Sequence, residues 1–258
     1  MNEPLHKMKI EVPSMTKGSI NLLSFSGPTT GAAKESSPQQ LIILLHGENS
    51  SGENFIEFGK TLSSALPRAV FVAPNAPLPH GKEPGKRLWF EIVGKSADAI
   101  LNGMEKITPS LNDFIDDQIE KYGVQDHNVA LIGFSQGAML ALHVGLRRKK
   151  RLGAIVSCSG TLIGAKHLRQ ELASRPSVFF IHGKDDQTVP AERVLDSVAK
   201  LMELNVPAEL RFCFGVGHAI NKDGMIHGAS FMCKTFNIKK KKNDLFNRIL
   251  KWVRNVGA

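Results

Sequence analysis

The sequence predicts an α/β domain, a mostly parallel central sheet with helices on both faces. Three observations carry this. Short strand-type apolar runs alternate with helix-forming stretches along most of the chain. Runs such as Leu41–Leu45 are apolar throughout, as in a parallel strand covered on both sides. The length of 258 residues, 42% of them hydrophobic, suits one large domain spanning the whole chain.

In chain order, Lys7–Val12 and Ser19–Phe25 read as opening strands, with a turn at Thr16-Lys17-Gly18. Gly27–Gln40 is rich in Ser, Pro and Gly and reads as a polar loop. Strand Leu41–Leu45 ends in the loop His46–Gly52. Asn54–Leu66 has helical apolar spacing at Phe55, Phe58, Leu62 and Leu66, and Pro67 stops it. Ala69–Ala73 is the next strand. Pro74–Gly85 is a loop with four prolines, leading into Arg87–Ile92. Thr108 and Pro109 suit the cap and first position of a helix that runs to Tyr122, with Gly123 as its stop.

Val129–Ile132 is a strand, and Ala138–Leu146 continues as helix. Between them stands Gly133-Phe134-Ser135-Gln136-Gly137. A strand, a G-x-S-x-G turn and a helix describe a nucleophile elbow. Gly133 and Gly137 remove side chains that would clash as strand and helix converge. The helix start then offers free N–H groups to a substrate. Gly153–Ser157, Ser177–Ile181 and Ala208–Phe214 are further strands, and Pro190–Leu204 is an amphipathic helix. Asp244–Val253 reads as a closing helix.

Ligands in such sheets bind beyond the carboxyl ends of the strands. Ser135 sits there, and a serine hydroxyl needs a base to act as a nucleophile. Of nine histidines, His218 follows the last strand through the flexible Gly215-Val216-Gly217. Its rival His227 has no strand leading into it, and His46 and His182 precede glycines in loops suited to other roles. A carboxylate must hold the base in one tautomer. Asp185 and Asp186 both follow Ser177–Ile181, and spacing does not choose between them. The order Ser, Asp, His is that of the α/β-hydrolase fold.

The chain resembles the phospholipase/carboxylesterase branch of the α/β-hydrolases, which includes acyl-protein thioesterases. The resemblance rests on Leu44-Leu45-His46-Gly47, Ala73-Pro74-Asn75-Ala76-Pro77, Trp89-Phe90-Glu91 and Gly133–Ala138. It continues in His182-Gly183-x-x-Asp186-x-x-Val189-Pro190 and Gly217-His218. It implies Asp186 as the catalytic acid and an oxyanion hole from the backbone N–H groups of Gln136 and Glu48. Two departures stand out. The family usually has an apolar residue where Glu48 stands, and a carboxylate turned inward there would oppose an oxyanion. Residues 226–243 form an atypical basic segment that does not match the family's short route to its last helix.

The function expected is a serine hydrolase of carboxylic esters or thioesters, acting through Ser135, His218 and Asp186 by way of an acyl-enzyme. No metal or cofactor is required, and Trp89 and Phe90 are candidate walls of the acyl pocket. The substrate would be a small acyl ester or thioester, an acylated protein or a lysophospholipid. Two other readings are a lysophospholipase at anionic membranes and a non-catalytic binding protein of the same fold.

The net charge of +9 resides in two runs, Arg147–Arg151 and Lys239–Lys242, so the rest of the chain is neutral on balance. Such runs suit peripheral contact with an anionic membrane, although a solvated surface is the plainer reading, and no nucleic-acid partner is expected. The opening residues MNEPLHKMKI lack the apolar core of a secretion signal, and no run approaches the roughly 20 residues that cross a bilayer. A cytoplasmic protein is expected. Its three cysteines, Cys158, Cys213 and Cys233, are an odd number for a disulfide framework, and no pair has metal-ligand spacing.

Overall fold

Strands that are apolar on both sides must lie between two layers, and the computed structural model builds them so. It describes residues 23–32, 37–92 and 96–238. The elements are β1 (Thr29–Gly31), β2 (Gln40–Leu45), α1 (Gly52–Ser63), β3 (Ala69–Val72), β4 (Leu78–Pro79) and β5 (Arg87–Leu88). Then come α2 (Ala97–Tyr122), β6 (Val129–Phe134), α3 (Gln136–Arg147), β7 (Ala154–Cys158) and α4 (Leu168–Glu171). The last are β8 (Ser177–Gly183), α5 (Ala191–Glu203), β9 (Ala208–Cys213) and α6 (Lys222–Thr235).

Seven strands form one sheet in the order β1-β3-β2-β6-β7-β8-β9. All pairs are parallel except β1 with β3. Alternate residues of each strand feed opposite faces. Leu41, Ile43 and Leu45 pack with α2, α3 and α5 in one core cluster. Ile42 and Leu44 pack with α1 and α6 in the other. From β2 the chain steps outward to β3, whereas β6 begins the march to the other edge. The switch point therefore lies between β2 and β6, where an open α/β sheet leaves its ligand crevice.

Several boundaries differ from the expectation. The helix expected at Thr108–Tyr122 begins at Ala97, capped by Ser96, whose Oγ accepts from the Ala99 N–H at 3.1 Å. Thr108 does not cap; its Oγ1 donates to the Met104 carbonyl at 2.7 Å. Pro109 lies inside the helix. An internal proline costs ~3 kcal/mol. The buried face of Ile100, Leu101, Met104, Ile107, Leu111, Phe114 and Ile115 spans it, at about 1.5–3 kcal/mol per side chain, so burial wins.

The polar stretch 27–40 contains the edge strand β1, and the proline-rich loop 74–85 carries β4, which pairs with β5 as a two-residue ladder. Residues 23–25 are not strand. Phe214 falls outside β9 and is 80% exposed. The atypical segment 226–243 begins inside α6, where Asn221 caps by accepting from the Gly224 N–H at 2.9 Å. The expected strand 7–12, the turn 16–18, residues 19–22, the lysine run 239–242 and the helix 244–253 lie outside the described residues. No described helix is long and apolar enough to cross a membrane.

Candidate active site

Ser135 stands at the turn from β6 to α3 with φ 51° and ψ −116°, a strained backbone for a residue with a side chain. Its neighbours explain how the strain is held. A Cβ on Gly133 would come within 2.3 Å of the Gly137 carbonyl oxygen, and one on Gly137 within 2.1 Å of the Leu45 carbonyl oxygen. Only glycine permits that approach. The Ser135 N–H donates to the Cys158 carbonyl at 2.9 Å, and the Ser135 carbonyl accepts from Ala138 and Met139. The hydroxyl is thereby fixed above the carboxyl end of the sheet.

His218 Nε2 lies 2.9 Å from Ser135 Oγ, and its Nδ1 lies 2.7 Å from Asp186 Oδ2. Asp186 Oδ1 accepts from the N–H groups of Thr188 and Val189, each at 2.9 Å. The carboxylate is fully buried and hydrogen-bonded through both oxygens. The imidazole is 23% exposed, with the Phe134 ring 5.1 Å away, centroid to centroid. Asp185 is exposed on the same loop and does not reach His218. His227 pairs instead with Asp223 at 3.5 Å on α6.

Glu48 and Gln136 follow β2 and β6, the strands flanking the switch point, where Leu45 stands opposite Gly133. The Gln136 N–H opens α3 and so has no intrahelical acceptor. The Glu48 N–H has no backbone acceptor among the described residues. The Glu48 carboxylate is half-exposed, 3.1 Å from His80 Nε2.

The Gln136 side chain is a strut. Its Oε1 accepts from the Trp89 N–H at 2.7 Å and its Nε2 donates to the Phe90 carbonyl at 3.0 Å. Trp89 is a core residue, 1% exposed, whose indole N–H donates to the His46 carbonyl at 2.8 Å. Trp89 and Phe90 also line a cavity of about 550 Å³ that continues along α2.

His46 is structural. Its Nδ1–H donates to the Gly47 carbonyl at 2.7 Å and its Nε2 accepts from the Ala76 N–H at 3.0 Å. That pattern requires the neutral ring, and burial holds its pKa below the usual histidine value. Burial likewise lowers His182, whose Nε2–H donates to the Val189 carbonyl at 2.8 Å and steadies the loop after Asp186. Phe134, the Gln136 side chain and His80 were not singled out from the sequence. Phe134 and Gln136 lie inside the elbow motif; nothing in the sequence marks His80.

Arg147 and Arg148, two of the five cations in the first basic run, have partners inside the fold. Arg147 pairs with Glu171, and Arg148 is buried against Asp116, Asp126 and Asn112. Cys158, Cys213 and Cys233 are buried thiols, and burial pushes Cys158 and Cys213 upward in pKa. Among the described residues no cluster of His, Cys, Asp and Glu has the makings of a metal site.

The family model described as phospholipase/carboxylesterase matches residues 30–236. Among curated proteins, the chain is 25% identical to an esterase of Escherichia coli, YpfH, over 72% of this chain and 79% of the relative. It is 27% identical to acyl-protein thioesterase 1 of Saccharomyces cerevisiae, over 80% of this chain and 97% of the relative. Among solved structures, esterase PE8 superimposes with a TM-score of 0.79 at 35% identity, covering 83% of this chain and all of the other.

Proposed function

Because the chain belongs to the phospholipase/carboxylesterase family of hydrolases, we propose that it cleaves carboxylic esters or thioesters by a serine mechanism. The observation that carries this reading is the relay of Ser135 Oγ, His218 and Asp186, joined by contacts of 2.9 and 2.7 Å. The Nδ1 proton of His218 is held by Asp186, which leaves Nε2 free to accept the serine proton. Ser135 Oγ then attacks the acyl carbon. The N–H groups of Gln136 and Glu48 take the oxyanion, at about 10²–10³ in kcat for one such donor.

Collapse of the tetrahedral intermediate expels the alcohol or thiol, protonated by His218 Nε2, and leaves Ser135 acylated. Water, deprotonated by the same nitrogen, releases the acid. The names of the relatives, esterase and acyl-protein thioesterase, support an acyl substrate. The cavity bounded by Trp89 and Phe90 is the acyl site in this reading. A single catalytic domain in the cytoplasm, with its thiols reduced, completes it.

Arg147 and Arg148, being paired within the fold, give no support to membrane binding by that run. The test is labelling with an active-site fluorophosphonate, read by intact mass and peptide mapping. Stoichiometric modification at Ser135 is expected. Absence of labelling, or equal labelling of Ser135→Ala, would refute the reading.

A further inference from the structure

We propose that Gly103 and Phe90 set the length of acyl chain the enzyme accepts, with Gly103 a specificity-determining residue; the inference rests on the hydrolase reading above. Gly103 lies inside the 26-residue helix α2. A glycine there weakens the helix relative to alanine. Conformation does not account for it, because Gly103 is not among the glycines with positive φ. Contact does. A Cβ at this position would stand 2.7 Å from Phe90 Cδ2 and 2.9 Å from Phe90 Cβ and Cγ. The Phe90 Cβ is tied to the backbone and cannot swing aside. The ring therefore lies directly on the helix backbone, and the glycine is what admits it.

Both residues border the cavity of about 550 Å³, with Pro77, Leu78, Trp89 and Ile107 as further apolar walls. The exposed Asn102 and Lys106 stand at its edge. Two walls of the cavity are tied to the chemistry, because the Trp89 N–H and the Phe90 carbonyl grip the Gln136 amide, and Gln136 follows Ser135. A side chain at position 103 takes space from this cavity, directly and through the ring it displaces. A smaller residue at position 90 returns space to it.

Each methylene denied burial costs about fourfold in kcat/KM. The experiment measures kcat/KM for p-nitrophenyl acetate, butyrate, hexanoate, octanoate and decanoate with wild type, Gly103→Ala and Phe90→Leu. The decanoate-to-acetate ratio should fall roughly four- to sixteenfold in Gly103→Ala, a loss of one or two methylenes of depth. It should rise about fourfold in Phe90→Leu. A purely packing role for Gly103 would lower every ester by the same factor. Unchanged ratios in both folded variants overturn the inference and leave the hydrolase reading standing. If Gly103→Ala does not fold, the ratio in Phe90→Leu decides alone. A wild-type protein that hydrolyses none of the series removes the hydrolase reading and this inference together.

Discussion

Replacing Asp186 by asparagine changes one atom, and its surroundings decide where that atom goes. Oδ1 accepts from the Thr188 and Val189 N–H groups, and Oδ2 faces His218 Nδ1. An asparagine can keep its carbonyl toward the two backbone donors and turn its NH₂ toward His218. The opposite orientation sets the NH₂ against both N–H groups, and the buried one, of Val189, costs about 1–3 kcal/mol when left without an acceptor. The first orientation wins by at least about 1–3 kcal/mol on that basis. The amide then donates to Nδ1, so the imidazole must carry its proton on Nε2, where it faces Ser135 Oγ. A protonated Nε2 cannot accept the serine proton. The expected loss is about 10⁴ in kcat, the penalty of the wrong tautomer in a serine triad, or ~5 kcal/mol of barrier. The assay is kcat on p-nitrophenyl acetate, with circular dichroism to show that the fold persists and nitrogen-15 NMR to report the tautomer. Asp185→Asn, on the exposed side of the same loop, should change kcat by less than about threefold, as surface substitutions do. A folded Asp186→Asn protein within tenfold of wild type would refute the reasoning.

Glu48 meets His80 on a half-exposed face, so Glu48→Leu and Glu48→Gln should change kcat by less than about threefold, the range of a surface ion pair; a hundredfold loss in both would give the carboxylate a direct part. Burial and the nearby Arg147 hold His143 down to a pKa of about 4, against 6.5 for the ordinary residue. Above pH 6.5 the ring is neutral both folded and unfolded. As pH falls, the unfolded chain takes up the proton first, so stability drops by about 2 kcal/mol between pH 7 and 5. Urea titrations of wild type and His143→Leu should show that part of the slope vanish in the variant, and an unchanged slope would contradict it. Arg148→Ala removes a buried guanidinium from its half-buried partner Asp126 and the exposed Asp116 and should cost about 1–3 kcal/mol in urea unfolding, whereas exposed Lys149→Ala should cost less than about 0.5 kcal/mol.

The candidate site was legible because its chemistry and its backbone demands coincide in one short motif. Gly133, Ser135 and Gly137 announce both a candidate nucleophile and the close approach that presents it. His218 was legible as a histidine on a glycine approach after a strand. The choice of Asp186 over Asp185 was not, because it depends on which side chain turns inward. The family resemblance pointed to Asp186, and the N–H groups of Thr188 and Val189 account for the preference. Strands buried on both faces announced themselves as continuous apolar runs. β1 did not, since an edge strand of three residues needs little apolar surface. The first three turns of α2 were missed because Pro109 reads locally as a start, while the burial that carries the helix past it is tertiary. The outward turn of Glu48 toward His80 joins residues 32 positions apart, and no periodicity encodes it.

The central claim is that an acyl group passes through Ser135 under the control of His218. The most direct measurement is rapid-quench mass spectrometry during turnover of a p-nitrophenyl ester. Wild type should gain the mass of one acyl group, mapped to the peptide bearing Ser135. His218→Ala should acylate far more slowly, and Ser135→Ala should gain no acyl mass and lose about 10⁶ in kcat. Wild-type turnover by Ser135→Ala, or an acyl group mapped to another residue, would contradict the account.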